Sequence, residues 1–265
     1  MDIARLFSLE GRVALVTGGY RGIGRMIAQG LLDAGCARVY ITGRKAEPLE
    51  AAAADLGERC VAIPGDIAAM DGIAALAKAL TAREQRLDIL VNNAGAAWGA
   101  EFDRFPENGW DRTVDLNLET PFFLTQQLHP LLKAAAAERP AKVIMIASID
   151  GQKINPWETY AYQASKAGLI HLTRRMAARL VRDNIVVNAI APGFFPSLMN
   201  RAAENPPPEF LAAVPARRMG TPDDMAAAAI YLASRAGDYV VGTTLTVDGG
   251  IVNAAMPDDF PSAGG

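Results

Sequence analysis

Cysteine is scarce in this chain: Cys36 and Cys60 are the only two among 265 residues, too few for a disulfide framework, and neither has a His or second Cys at ligand spacing. Both read as small buried apolar residues. Histidine is as rare. His129 and His171 fall on helical patterns without a partner at ligand spacing, so no metal site is expected. No stretch approaches the ~18 consecutive apolar residues of a spanning helix, and the first strand pattern begins by residue 12 with no basic and apolar leader before it. A cytoplasmic protein that makes no use of a membrane is the expectation. An excess of positive charge is missing too. With a formal net charge of −3 and a pI near 5.5, the chain has no basic field to offer a nucleic acid.

Apolar residues make up 51% of the sequence, enough for a large core, and their pattern is regular. Continuous apolar runs fall at 12–17, 37–42, 60–64, 87–91, 141–147, 184–190 and 243–247, separated by helical periodicity at 22–34, 45–55, 70–83, 109–136, 159–181 and 222–234. Strands without polar alternation, spaced by helices, predict a parallel sheet covered on both faces with right-handed crossovers. The fold class is therefore α/β. We expect one domain over 1–265, a Rossmann-like, doubly wound parallel sheet of seven strands with helices on both faces. No linker or internal repeat interrupts it. The segment from about 194 to 218, with Pro206-Pro207-Pro208 inside it, breaks the alternation and reads as a substrate lid. The tail from Ile251 to Gly265 is rich in small residues and reads as a loose end or a subunit contact.

Several motifs lie at the ends of these strands. Thr17-Gly18-Gly19-Tyr20-Arg21-Gly22-Ile23-Gly24 runs from the first strand into the first long helix. Glycines permit positive φ and close ligand approach, and a helix start favours a pyrophosphate. The spacing departs from G-x-G-x-x-G in the place of its middle glycine. At the second strand's end stand Gly43, Arg44 and Lys45. Cations at a helix start oppose its dipole, and three of them with no carboxylate, counting Arg21, suit a 2′-phosphate. Tyr162 and Lys166 are four residues apart, hence on one face of a helix. A cation against a phenol would lower its pKa from ~10 and make it a usable acid or base. Taken alone, the pair fits an amphipathic helix with a snorkelling lysine equally well.

Together with Asn92-Asn93-Ala94-Gly95, Asn117, Ser148 and Pro192-Gly193, these segments resemble the short-chain dehydrogenase/reductase family, in the family's order and over residues 9 to 250. The stretches 94–100 and 191–197 look most like the family's NADPH-dependent β-ketoacyl reductases. The resemblance implies that Asn117, Ser148, Tyr162 and Lys166 are catalytic. Ser148 and Tyr162 would bind the carbonyl oxygen, and Tyr162 would protonate it. Lys166 would lower the Tyr162 pKa and hold the nicotinamide ribose, while Asn117, through a backbone irregularity that positions a relay water, would resupply the proton. It further implies that NADPH/NADP is held by Gly18, Tyr20, Arg21, Gly22, Ile23, Gly24, Arg44, Lys45, Asp66, Ile67, Asn93, Ala94, Gly95, Tyr162, Lys166, Pro192, Gly193 and Ser197. Asp66 also reads as an N-cap for the helix near Met70, and Ser148 as a turn residue.

The implied activity is reduction of a ketone, a 3-oxoacyl thioester or another hydrophobic one. Trp98, Ile149, Ile154, Trp157, Phe194, Phe195, Leu198 and Met199 would wall the substrate. The alternatives are an NADP-dependent alcohol or sugar dehydrogenase, and a regulatory protein that binds a dinucleotide without catalysis. The family commonly forms tetramers, so a homotetramer, or a homodimer, is expected.

Overall fold

The structure is a computed structural model and describes residues 2–196 and 208–255. Seven strands appear where the apolar runs predict them: β1 Val13–Thr17, β2 Arg38–Gly43, β3 Cys60–Pro64, β4 Ile89–Asn92, β5 Ala141–Ile146, β6 Ile185–Pro192 and β7 Thr244–Val247. Every pairing is parallel. Their order, β3-β2-β1-β4-β5-β6-β7, reverses between β1 and β4, which opens a crevice beyond the carboxyl ends of the strands.

The helices are α1 Ile3–Phe7, α2 Gly22–Asp33, α3 Ala46–Leu56, α4 Met70–Thr81, α5 Glu107–Val114, α6 Thr120–Ala136, α7 Tyr160–Leu180, α8 Pro208–Ala212 and α9 Pro222–Ala233. They divide between the two faces of the sheet. Leu31, Leu49 and Met225, from α2, α3 and α9, share one buried cluster with Val16 and Ile144. Leu76, Leu128 and Leu169, from α4, α6 and α7, share the other with Leu15 and Val143. Neighbouring strand residues thus serve opposite cores, which is why β1, β5 and β6 are buried at every position and carry no polar alternation.

The irregularity expected at Asn117 is a π turn at Asp115–Glu119 within the helical stretch 109–136. Two local differences from the sequence reading have identifiable causes. The N-cap of α4 is Ala69, without a side-chain cap; Asp66 instead closes its own turn, accepting a hydrogen bond from the Ala68 amide at 3.1 Å. At the N-terminal side, α1 forms because Asp2 accepts from the Arg5 amide, a capping signal that overrides the short length of the segment.

Below the sheet, far from the crevice, Arg12 and Asp88 pair at 3.0 Å with side chains only 2% and 3% exposed. Asp88 also accepts from the Val13 amide at 2.9 Å. Asp88→Ala would strand a buried guanidinium, and the expected loss is about 3–5 kcal/mol of unfolding free energy. Urea denaturation checks this, and a loss under about 1 kcal/mol, as for a surface pair, would contradict it.

Candidate active site

The crevice is assembled by bonds between strand ends. Thr17 Oγ1, at the end of β1, accepts from the Asn93 and Ala94 amides at 2.9 and 2.8 Å, and Asn93 Nδ2 donates to the Thr17 carbonyl at 2.7 Å. These contacts join the end of β4 to the glycine turn. The Gly18 amide donates to the Thr42 carbonyl, which adds β2. Gly18 needs its φ of 65° to make that bend, a conformation costly for any side chain. Arg21 is the N-cap of α2 and makes no side-chain cap, so the first-turn amides of α2 are left for an anion. That geometry fits a pyrophosphate.

The expected cofactor residues are distributed around this turn. Gly18, Tyr20, Arg21, Gly22, Ile23 and Gly24 form the β1–α2 connection, Arg44 and Lys45 are exposed at the β2–α3 connection, and Asp66 and Ile67 follow β3, exposed and buried respectively. Asn93, Ala94 and Gly95 follow β4; Pro192 ends β6 and Gly193 continues from it. Ser197, like Leu198 and Met199, lies outside the described residues.

On the other side of the crevice α7 presents Tyr162 and Lys166. Ser148, 7% exposed just beyond β5, accepts from the Asp150 amide at 3.1 Å and donates to the Tyr162 phenol. Lys166 Nζ lies 5.6 Å from the Tyr162 ring centroid and donates to the Ile146 carbonyl at 2.7 Å. Asn117 is 1% exposed; its Oδ1 accepts from the Ala96 amide at 2.8 Å, and its Nδ2 donates to the Ala96 carbonyl at 2.9 Å and to Ser165 Oγ at 3.0 Å. Ser165 Oγ in turn donates to the Tyr162 carbonyl at 2.8 Å. The four expected catalytic residues are therefore linked, three from α7 and β5 and the fourth through Ser165.

One expectation changes. Burial pushes the Tyr162 phenol up to about 12; the Ser148 hydrogen bond opposes the shift and the Asp150 charge adds to it. The lowering expected from Lys166 does not prevail, because the ammonium is aimed at the Ile146 carbonyl and is itself pushed down to about 8 by burial, against the pull of Asp150. The side chain of Asn117 is committed at both ends to protein groups and clamps the loop after β4, while the backbone irregularity expected at this position is the π turn. Thr17 opens the glycine motif and Ser165 lies inside the Tyr162–Lys166 segment, but neither motif shows the bonds these side chains make, and the Ile146 carbonyl belongs to no motif.

Asp150 is the unexpected titrating neighbour. Burial raises its carboxyl, with Asn155 and Lys166 pulling the other way. Its charge raises both Tyr162 and Lys166. A phenol that acts as an acid works below its pKa and fails above it, so Asp150→Asn should bring the alkaline fall of kcat/KM for reduction to lower pH. An alkaline limb that stays in place would show that Asp150 does not act on Tyr162.

Aromatic side chains cluster on the segments that flank Tyr162. Trp157, 49% exposed, meets Phe194 edge to face at 6.1 Å, and Ile154 is 88% exposed. Tyr160 packs against Phe102 and Phe105 at 5.7 and 5.8 Å. Phe195 and Ile149, expected in the wall, are buried at 3% and 6% exposure; Phe195 packs against Gly220 and serves the core.

Comparison with known proteins agrees with this geometry. A family profile described as enoyl-(acyl carrier protein) reductase matches residues 18–252. A rhamnolipids biosynthesis 3-oxoacyl-[acyl-carrier-protein] reductase of Pseudomonas aeruginosa is 49% identical over 254 residues, 92% of this chain and 97% of that protein. A 2-dehydro-3-deoxy-D-gluconate 5-dehydrogenase of Escherichia coli is 39% identical, covering 94% and 98%. Among solved structures, the Pseudomonas aeruginosa RhlG/NADP active-site complex superposes with a TM-score of 0.90 at 48% identity, covering 95% of this chain and 99% of that one. A gluconate 5-dehydrogenase from Burkholderia cenocepacia in complex with NADP and tartrate superposes with a TM-score of 0.88 at 35% identity, covering 96% and 100%.

Proposed function

The chain belongs to the short-chain dehydrogenase/reductase family, and from that premise we propose that it is an NADPH-dependent ketoreductase acting on a hydrophobic ketone, a 3-oxoacyl thioester being the favoured class. The observation that carries this is the convergence of Ser148, Tyr162 and Lys166 on the far side of a crevice from an uncapped glycine turn. NADPH, when bound, supplies the hydride. The α2 amides would take its pyrophosphate, with Arg21, Arg44 and Lys45 toward the 2′-phosphate and Lys166 toward the nicotinamide ribose.

The remaining work belongs to side chains of this chain. Ser148 and Tyr162 hold the carbonyl oxygen by hydrogen bonds that strengthen as negative charge develops there. Tyr162 then gives its phenolic proton to that oxygen. The phenol, its pKa pushed up by burial, holds its proton at neutral pH until the developing negative charge draws it off. Asn117 acts as a positioning residue, fixing Ala96 and, through Ser165, the first turn of α7. Trp157, Ile154 and Phe194 offer apolar surface to an acyl chain, where a polyol would need several directed hydrogen bonds.

A sugar or sugar-acid dehydrogenase is the competing reading, favoured by the names of the gluconate dehydrogenase relatives. Reduction assays of ketones with NADPH and NADH test the first part of the proposal: turnover with clear preference for NADPH is expected, and equal kcat/KM with the two cofactors would defeat it. We read 1–265 as one catalytic domain with its substrate lid at about 194–218, working in the cytoplasm. Among the described residues, no helix is long and apolar enough to cross a membrane. A homotetramer, or homodimer, is supported by β7, an edge strand whose four residues are all half-exposed where a partner would cover them.

A further inference from the structure

Gly43 ends β2, at the position where a carboxylate would bind the adenosine ribose of NAD. A Cβ placed on it would lie 2.8 and 2.9 Å from Cε1 and Cδ1 of the Tyr20 ring, closer than side-chain carbons approach one another. Tyr20 is held there. Its ring is half-buried against the core cluster shared by β1, β2 and α2, and the Arg21 guanidinium lies over it, 5.1 Å from the centroid. One aromatic ring thus occupies the space next to Gly43 and supports the cation in front of it.

We propose that Tyr20 is a specificity-determining residue for the cofactor: its ring excludes an acidic side chain at position 43 and serves as a shelf that presents Arg21 to the 2′-phosphate. This rests on the NADP reading above and adds the device that enforces it. Selectivity then depends on two positions together. An acidic residue at 43 has no place to sit while Tyr20 is present, and removal of Tyr20 alone costs the phosphate contact without creating a ribose contact.

Isothermal titration of the full chain with NADP, NAD and adenosine 2′,5′-bisphosphate, which lacks a nicotinamide, separates these roles from catalysis. The unmodified chain should bind NADP at least about tenfold more tightly than NAD; failure here would sink the NADP reading itself. Tyr20→Ser should weaken bisphosphate binding about two- to fivefold, the size of an exposed cation–π contact, and leave NAD unchanged. Gly43→Asp alone should lose NADP without gaining NAD. Tyr20→Ser combined with Gly43→Asp should bind NAD at least about tenfold more tightly than Gly43→Asp alone, a coupling read as a double-mutant cycle.

If Gly43→Asp alone gains NAD as fully as the pair, the ring moves aside freely and the exclusion is wrong. Unchanged bisphosphate binding in Tyr20→Ser overturns the shelf. Should Gly43→Asp fail to fold, Gly43→Ala gives the same test by melting temperature. The loss it causes should disappear in the Tyr20→Ser background, and a loss that persists there contradicts the clash.

Discussion

Tyr162→Phe should lower ketone reduction by about 10²–10⁴-fold, the range of a lost general acid, with the fold and NADPH affinity close to those of the unmodified chain. The substitution deletes one oxygen and little volume. Its structural cost is small, since the bond to that oxygen comes from Ser148, whose hydroxyl is also tied to the Asp150 amide. The effect on rate is large because neither neighbouring donor can take its place. Lys166 Nζ, pushed down to about 8, could in principle donate, yet it is held at the Ile146 carbonyl, and Ser148 is too weak an acid. Steady-state kinetics with intact NADPH binding decides the matter; retention of more than about a tenth of the turnover would contradict general acid catalysis of this size.

Lys166→Met is expected to be nearly as damaging, for a different reason. Methionine keeps much of the stem volume, so the substitution removes mainly the ammonium. NADPH affinity should fall, and kcat should fall by about 10²–10³-fold, as for loss of one preorganised electrostatic donor. The Ile146 carbonyl loses its partner, at about 1–3 kcal/mol of stability. The split between binding and turnover tests the role. If NADPH affinity is unchanged while only the alkaline pH limb moves, Lys166 acts on the Tyr162 proton alone and does not hold the cofactor.

Local periodicity made the architecture legible. Continuous apolar runs mark the strands because the residues of the central strands β1, β4, β5 and β6 are buried by one core or the other, and the helices between them are long enough to show their spacing. The candidate catalytic positions come from resemblance, and the structure brings them to one crevice from the π turn at Asp115–Glu119, the end of β5 and α7. What escaped was set by tertiary distance. Thr17 bonds to Asn93 and Ala94, 76 and 77 residues away, and Ser165 bonds to Asn117 across 48; no motif spacing contains such contacts. The charge logic of the Tyr162–Lys166 pair also misled, because helical spacing reports a shared face and says nothing of desolvation. Burial raises the Tyr162 phenol, and the Ile146 carbonyl takes the ammonium. Phe195 was misplaced for a similar reason, its apolar character serving the core equally well.

The central claim is that this chain reduces a hydrophobic ketone with NADPH. Its most direct test is kcat/KM with NADPH for 3-oxoacyl thioesters of increasing acyl length, set beside a keto sugar acid. The account predicts efficiency that rises with chain length as each methylene adds about 0.8 kcal/mol of burial at most, and a poor sugar substrate. A flat response to length, or greater efficiency on the sugar acid, would contradict it.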